Sequence, residues 1–137
     1  MNRKACLALV IAASAFAAAQ TPAGKTTQDD STLLVGDWRG DSICAVRPSA
    51  CHDEKALYRV TKAGDSVNRY SIEGNKIVDG KPEYMGTLQC TYEPDQRTLT
   101  CSTPKLVLHL STDGKGLKGT MHYPDGSVAR NIALRHD

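Results

Sequence analysis

The stretch LVLHLSTDGKGLKGTMHYPDGSVARNIAL, residues 106–134, alternates apolar and polar side chains between short turn signals. Three segments carry the alternation, and their more apolar faces consist of Leu106, Leu108 and Leu110, then Leu117, Gly119, Met121 and Tyr123, then Val128, Arg130, Ile132 and Leu134. A period of two residues is typical of half-buried β-strands. The stretch therefore predicts three consecutive strands joined by tight turns.

The same pattern extends back to about Leu33 in shorter segments such as ALYRV and TLQCTY. The segments are separated by turn signals at Ala63-Gly64-Asp65, Gly74-Asn75, Asp79-Gly80, Pro94-Asp95, Asp113-Gly114 and Pro124-Asp125-Gly126. Tight turns with no helical period between them predict an all-β fold, a single antiparallel meander of about eight strands. Closure into a small barrel would remove the exposed sheet edges. An open or sandwiched sheet is the alternative.

The first nineteen residues have the pattern of a secretory signal peptide. Arg3 and Lys4 precede an uncharged, alanine-rich segment that ends in a small-residue cleavage site before Gln20. We predict a signal peptide at 1–19, a flexible leader at 20–31 and one domain at 32–137. The apolar segment is too short for a good membrane anchor, and no second one follows, so we expect no membrane insertion after its removal. The expected location is the bacterial periplasm or the extracellular space.

The charge balance of the mature chain is close to zero. The full sequence has 17 Lys and Arg against 15 Asp and Glu. Arg3 and Lys4 leave with the signal peptide, and all acidic residues lie beyond it. A neutral chain with interspersed charges lacks the basic surface that binds nucleic acid, so we expect no nucleic-acid partner.

Four cysteines remain after signal removal: Cys44, Cys51, Cys90 and Cys101. They allow three pairings, and an exported chain favours disulfides. The turn signal Glu93-Pro94-Asp95-Gln96 folds a hairpin that places Cys90 opposite Cys101, close enough for a bridge. We therefore predict Cys90–Cys101 and Cys44–Cys51.

A metal site is the alternative use of these residues. CHDE (51–54) is rich in potential ligands, and His109 and His122 lie further along the chain. Neither cysteine pair has the spacing of a zinc site. The register of the apolar faces is expected to leave the two histidines several residues apart, as ordinary surface residues. We predict no metal and no cofactor.

The segment GDW (36–38), the meander and a basic residue in the last strand together resemble the lipocalin and fatty-acid-binding (calycin) barrels. In those families the tryptophan packs near the start of the barrel against an arginine of the closing strand. The resemblance implies these structural roles for Trp38 and Arg130, in contact at one end. The longer segment GDWRGDSICAVRPSACHDEKALYRV (36–60) resembles the opening of small exported bacterial proteins of unassigned function.

The same region contains RGDS (39–42), a tetrapeptide that integrins recognise on flexible loops. Alternation places Trp38, Gly40 and Ser42 on one face of a strand, with Arg39 and Asp41 on the other. We therefore expect a solvent-facing Arg/Asp pair on a strand and not an adhesion site.

No constellation in the sequence indicates an enzyme. Its serines lie in no nucleophile elbow. The carboxylates Asp53 and Glu54 are adjacent in sequence, so on a strand they would point to opposite faces.

Two binding functions remain. The barrel interior could take a small hydrophobic molecule, unless its side chains simply fill a solid core; the expected interior residues are Leu88, Tyr92, Leu106, Leu108, Leu110, Met121 and Tyr123. Alternatively, the leader or the loop AVRPSACHDE (45–54) could bind another exported protein, as inhibitors of periplasmic proteases or lysozyme do.

Overall fold

The computed structural model describes residues 31–137. The predicted signal peptide lies outside the described residues, as does the predicted leader except for its last residue, Ser31. The described chain begins with one helical turn, α1 (Ser31–Leu34), and continues with eight strands. These are β1 (Gly36–Cys44), β2 (Glu54–Lys62), β3 (Arg69–Val78), β4 (Lys81–Glu93), β5 (Thr98–Ser102), β6 (Val107–Thr112), β7 (Gly116–His122) and β8 (Val128–His136).

The strands form a closed antiparallel barrel in which each strand pairs with the next and β8 pairs with β1. In the closing pair, Trp38 lies opposite His136 and Cys44 lies opposite Arg130. The predicted eight-stranded meander and its closure are thus confirmed, and the open or sandwiched alternatives are wrong. The turn predicted at Gly74-Asn75 is also wrong, because both residues lie within the continuous strand β3, where its register with β4 shifts. Asp79 and Gly80 both have positive φ, 50° and 76°, as expected for a tight turn between two paired strands.

The strands are staggered around the barrel. When the paired residues are followed from strand to strand, starting at Cys44, the path returns after one circuit to the level of Leu34 and not to Cys44. The residues on this path are Arg130, Met121, Leu108, Cys101, Cys90, Tyr70 and Lys62. A stagger of this kind requires strands tilted against the barrel axis. Neighbours across the sheet therefore lie at different heights. Gly86 on β4 belongs to the same row of paired residues as Trp38 on β1. Because this row is inclined to the barrel axis, Gly86 lies nearer the Arg130 end of the barrel than Trp38 does.

Apolar side chains fill much of the barrel. One buried cluster consists of Leu34, Trp38, Ala56, Tyr58, Val60, Tyr70, Ile72, Cys90, Tyr92, Leu99, Cys101, Leu108, Leu110, Leu117, Ile132 and Leu134. These residues largely alternate with more exposed ones along the strands. The period of two in the sequence therefore corresponds to the inside and outside of the barrel wall.

The end of the barrel at Trp38 is closed. Leu34, in the α1 turn, is completely buried, and the Trp38 Nε1–H donates a hydrogen bond to the Leu34 carbonyl at 2.8 Å. The indole also packs against the His136 ring, with centroids 4.4 Å apart. Gly36 has a φ of +138°, and a Cβ at this position would lie 2.5 Å from His136 Cε1. The positive φ, together with the ring that covers the tryptophan, therefore favours glycine at this position of the Gly-x-Trp motif.

The predicted contact between Trp38 and Arg130 is wrong. Arg130 does point inward, but it pairs with Cys44 at the far end of β1. The start of β1 meets the end of β8 because the two strands are antiparallel. His136, at the end of β8, therefore reaches Trp38, and Arg130 lies at the opposite end of β1.

At its own end, Arg130 makes polar contacts with three residues. Its Nη1 atom donates to the Ser42 carbonyl at 3.1 Å and to Ser42 Oγ at 3.2 Å. Its Nη2 atom donates to the His52 carbonyl at 2.7 Å and lies 3.3 Å from Glu54 Oε1. The side chains of Arg130 and Glu54 are 15% and 23% exposed, so this ion pair is better shielded from water than the pairs that Arg59 forms on the outer face.

Both predicted disulfides are present. Cys44 and Cys51 close the loop after β1, and Cys90 and Cys101 lie directly opposite each other in the β4–β5 pair. The second bridge is buried inside the barrel. Two disulfides indicate a non-reducing compartment. In the part of the chain from Ser31 onward, no helix is long and apolar enough to cross a membrane.

The RGDS tetrapeptide lies within β1, which has partner strands on both sides. Arg39 forms an ion pair with Asp137, and Asp41 forms one with Lys55. Gly40 packs so closely that an added Cβ would lie 2.1 Å from the carbonyl oxygen of residue 133. The segment is a strand of the barrel wall, as expected, and lacks the loop geometry that integrin binding requires.

Replacing His136 by Ala should shift the emission of Trp38, the only tryptophan, to longer wavelength in the folded protein, because the indole loses its cover. Replacing Arg130 by Ala should leave the folded-state emission unchanged, because Arg130 and Trp38 lie at opposite ends of the β1–β8 pair. Steady-state fluorescence under native conditions tests both. An emission shift in the Arg130 variant alone would contradict the contact of Trp38 with His136 and the position of Arg130 at the other end of the barrel.

Arg130→Met should lower the free energy of unfolding by about 2 kcal/mol, somewhat less than a fully buried pair would lose, because it leaves Glu54 without its partner. Adding Glu54→Gln should recover part of the loss. The control is Arg59→Met, which breaks exposed pairs with Asp37 and Glu73 and should cost at most about 0.5 kcal/mol. Urea unfolding measures all three, and equal losses in the two single arginine variants would refute a special role for Arg130.

Candidate ligand-binding pocket

An apolar pocket of about 110 Å³ opens in the half of the barrel nearer Arg130. Its lining residues are Tyr58, Ile72, Gly74, Met85, Gly86, Leu88, Leu106 and Met121. Met85, at the mouth, is 47% exposed. The pocket therefore connects to solvent, in contrast to the end covered by α1.

Two features of the wall account for this space. Gly74 and Gly86 lie opposite each other in the β3–β4 pair, so that neither strand supplies a side chain there. In addition, β4 pairs with β5 only from Cys90 onward, which leaves the segment 81–89 paired with β3 alone. The register shifts next to Gly74, where Met85 is the extra residue on β4. Such a bulge redirects side chains, here toward the mouth of the pocket.

Residues 81–89 of β4 have one unpaired edge, and the outer half of this edge is protected against pairing with other strands. Lys81, Pro82 and Glu83 are all exposed, and the bulge follows at Met85. Charges, proline and bulges are the usual means by which natural sheets prevent edge-to-edge aggregation. The barrel can therefore keep a gap in its wall without becoming prone to self-association at that edge.

The seven predicted interior residues fall into three groups. Leu88, Leu106 and Met121 line the pocket. Tyr92, Leu108 and Leu110 are buried in the apolar cluster and do not line it. The third group is Tyr123 alone.

Tyr123 is 50% exposed, and its predicted place inside the barrel is wrong. Strand β7 ends at His122, and Tyr123 begins the turn, where its N–H donates to the Ser127 carbonyl and its carbonyl accepts from Gly126. The alternation of faces holds along a strand and does not continue through a turn.

Five lining residues lie outside the set that the sequence predicts: Tyr58, Ile72, Gly74, Met85 and Gly86. The alternation in ALYRV is a signal that could place Tyr58 on the inner face with Ala56 and Val60. The bulge at residue 85 and the pairing of the two glycines have no such signal, because both depend on register.

Tyr58 is the lining residue with a hydroxyl group. It is 4% exposed, and burial raises the pKa of its hydroxyl to about 12, with a smaller opposing effect of the Arg130 charge and a further increase from Glu54. Its ring lies against Gly74, the partner residue on β3. The hydroxyl is therefore neutral over the physiological pH range.

The loop between β1 and β2 lies at the same end of the barrel. Its residues 45–50 are exposed, and the Cys44–Cys51 disulfide closes it. Asp53 pairs with Arg47 and accepts a hydrogen bond from the Cys44 N–H at 2.9 Å. The hydrogen bond from Arg47, followed by that from Cys44, lowers the pKa of Asp53. The loop is thus braced by a covalent and an ionic contact.

The two histidines are closer than expected. The rings of His109 and His122 have centroids 5.7 Å apart on the outer face of the barrel. The register pairs Val107 with His122, so His109 is a diagonal neighbour, and the expectation of several residues between them is wrong. Within residues 31–137, no group of three or more His, Cys, Asp or Glu side chains could hold a metal ion.

Comparison with known proteins supports the fold alone. No protein-family model and no curated protein matches the sequence. Among solved structures, the chain is similar to a redesigned beta barrel, with a TM-score of 0.57 and 18% sequence identity, over 80% of this chain and 96% of that chain. The likeness is to a barrel fold and carries no activity with it.

Proposed function

We propose that this protein is an exported, non-enzymatic binding barrel that takes a small apolar molecule in the pocket at the Arg130 end. The observation that carries the proposal is an apolar cavity open to solvent in a barrel whose other end is covered by Leu34 and Trp38. Concave apolar sites with few polar groups are the usual form of small-molecule sites.

The size of the pocket limits the ligand. Sites for drug-sized molecules have volumes of roughly 300–1,000 Å³. A dry cavity of about 150 Å³ is enough for benzene. The pocket here, with about 110 Å³, is smaller than that cavity but open, so a single ring or the end of a longer chain would enter it and extend into the mouth. A lipocalin-like role is therefore proposed in a reduced form, without full enclosure of a long lipid.

Export through the predicted signal peptide belongs to the same proposal. The two disulfides support it, because such bridges form and persist in oxidising compartments such as the periplasm. The resemblance of residues 36–60 to small exported bacterial proteins points the same way.

The wild-type protein should bind benzene with a dissociation constant of about 1 mM, which corresponds to roughly −4 kcal/mol for a ligand of this size. Leu106→Trp should abolish binding, because a larger side chain at this partly buried position fills the mouth. Val67→Trp, which adds the same ring to the exposed turn between β2 and β3, is the control and should bind normally. NMR titration of the Gly74 and Gly86 amides measures the affinity. Equal binding by both tryptophan variants would place the ligand elsewhere.

A second candidate function is inhibition of an exported hydrolase through the β1–β2 loop. It is favoured by the disulfide, by the Arg47–Asp53 brace and by Val46, whose side chain is exposed in the loop. A braced loop loses little conformational entropy on binding.

If this second function is correct, the purified protein should slow lysozyme or a secreted serine protease in rate assays at equimolar concentration. Val46→Asp should reduce the inhibition roughly tenfold, because it puts a charge at the centre of the contact. Val67→Asp, in the turn at the opposite end of the barrel, should not. Full enzyme activity in a large excess of wild-type protein would exclude these two enzyme classes.

A further inference from the structure

We propose that the pocket selects neutral molecules that combine a small apolar ring or chain with one hydrogen-bond acceptor, which the Tyr58 hydroxyl binds. This inference rests on the proposed function and adds the chemical class of the ligand. It is drawn from the hydrogen bonding of Tyr58 and from the charges next to the pocket.

The Tyr58 hydroxyl has no hydrogen-bond partner among residues 31–137. In the same residues, no unpaired side-chain oxygen or nitrogen is sealed from solvent. The hydroxyl oxygen must therefore retain some accessible surface, although the residue as a whole is almost completely buried. Tyr58 is a lining residue of the pocket, and we infer that the open surface of its hydroxyl belongs to this space.

A tyrosine hydroxyl is both a donor and an acceptor, and a buried one usually has a partner. In a pocket whose other lining side chains are aliphatic or thioether groups, an entering ligand can supply this partner. The hydroxyl stays protonated at physiological pH, so it can donate to a carbonyl or ether oxygen. A purely apolar ligand would cover the hydroxyl and leave it unpaired, which carries a desolvation cost.

The charges around the hydroxyl argue against an anionic ligand. Arg130 and Glu54 both act on Tyr58, with opposite sign. The two form an ion pair at 3.3 Å, and both terminal nitrogens of Arg130 already donate, one to Ser42 and the other to His52. Arg130 therefore offers a carboxylate no uncompensated positive charge to offset the loss of its hydration. The balanced charge of this pair favours a neutral polar group.

Cyclopentanone and cyclopentane test this inference, because they differ by one carbonyl oxygen and both have the size of a single ring. NMR titration of the Gly74 and Gly86 amides should show that Tyr58→Phe weakens cyclopentanone binding roughly fivefold, the loss of one hydrogen bond. The same variant should strengthen cyclopentane binding roughly fivefold, because it removes the hydroxyl that an apolar ligand leaves unpaired and keeps the ring over Gly74.

Tyr70→Phe is the control variant, since it removes a hydroxyl from a buried tyrosine outside the pocket lining and should change neither affinity. Cyclopentanecarboxylate should bind more weakly than cyclopentanone to the wild-type protein. Tighter binding of the carboxylate, or an equal response of both neutral probes to Tyr58→Phe, would overturn the proposed ligand class. Failure of cyclopentane itself to bind would instead refute the pocket function from which the inference starts.

Discussion

The pairing of β8 with β1 is the constraint on which the rest of this structure depends. It removes the sheet edges that a linear meander would expose, and it sets the register that makes the two ends of the barrel different. Because the two strands are antiparallel, the beginning of β1 meets the last residues of β8. Trp38 is therefore covered by His136, and Arg130 is left at the other end to pair with Glu54.

This difference between the ends gives the barrel an accessible side. At the Trp38 end, α1 and the indole close the interior, and an indole hydrogen bond ties the two together. At the Arg130 end, a bulge and two facing glycines leave a pocket that the neighbouring strand β5 is too short to cover. The pocket is smaller than the lipocalin-like interior expected from alternation, because Tyr92, Leu108 and Leu110 pack into the core and Tyr123 lies outside it.

The polar groups at the open end act together. Arg130 is held by Ser42, His52 and Glu54, so its charge is satisfied within the protein. An inward arginine without such partners would destabilise the barrel strongly. Because Arg130 has these partners, it does not bind the Tyr58 hydroxyl. Tyr58, a residue of the pocket wall, therefore keeps its hydrogen-bonding capacity. The same set of contacts stabilises the barrel and, in the ligand class proposed above, favours a neutral molecule in the pocket.

The sequence by itself determined most of the strands and turns and both disulfides, because these depend on residues close together in the chain. Alternation over a few residues assigns faces, and a single turn at Pro94-Asp95 aligns Cys90 with Cys101. Only the tertiary structure decided which residues meet across the barrel, such as His136 at Trp38 in place of Arg130. Those meetings depend on the relative lengths of β4 and β5, on the bulge and on the stagger, which arise from pairing between distant segments. Local patterns carry no record of that pairing, and for this reason the pocket and the partners of Arg130 are features of the folded chain alone.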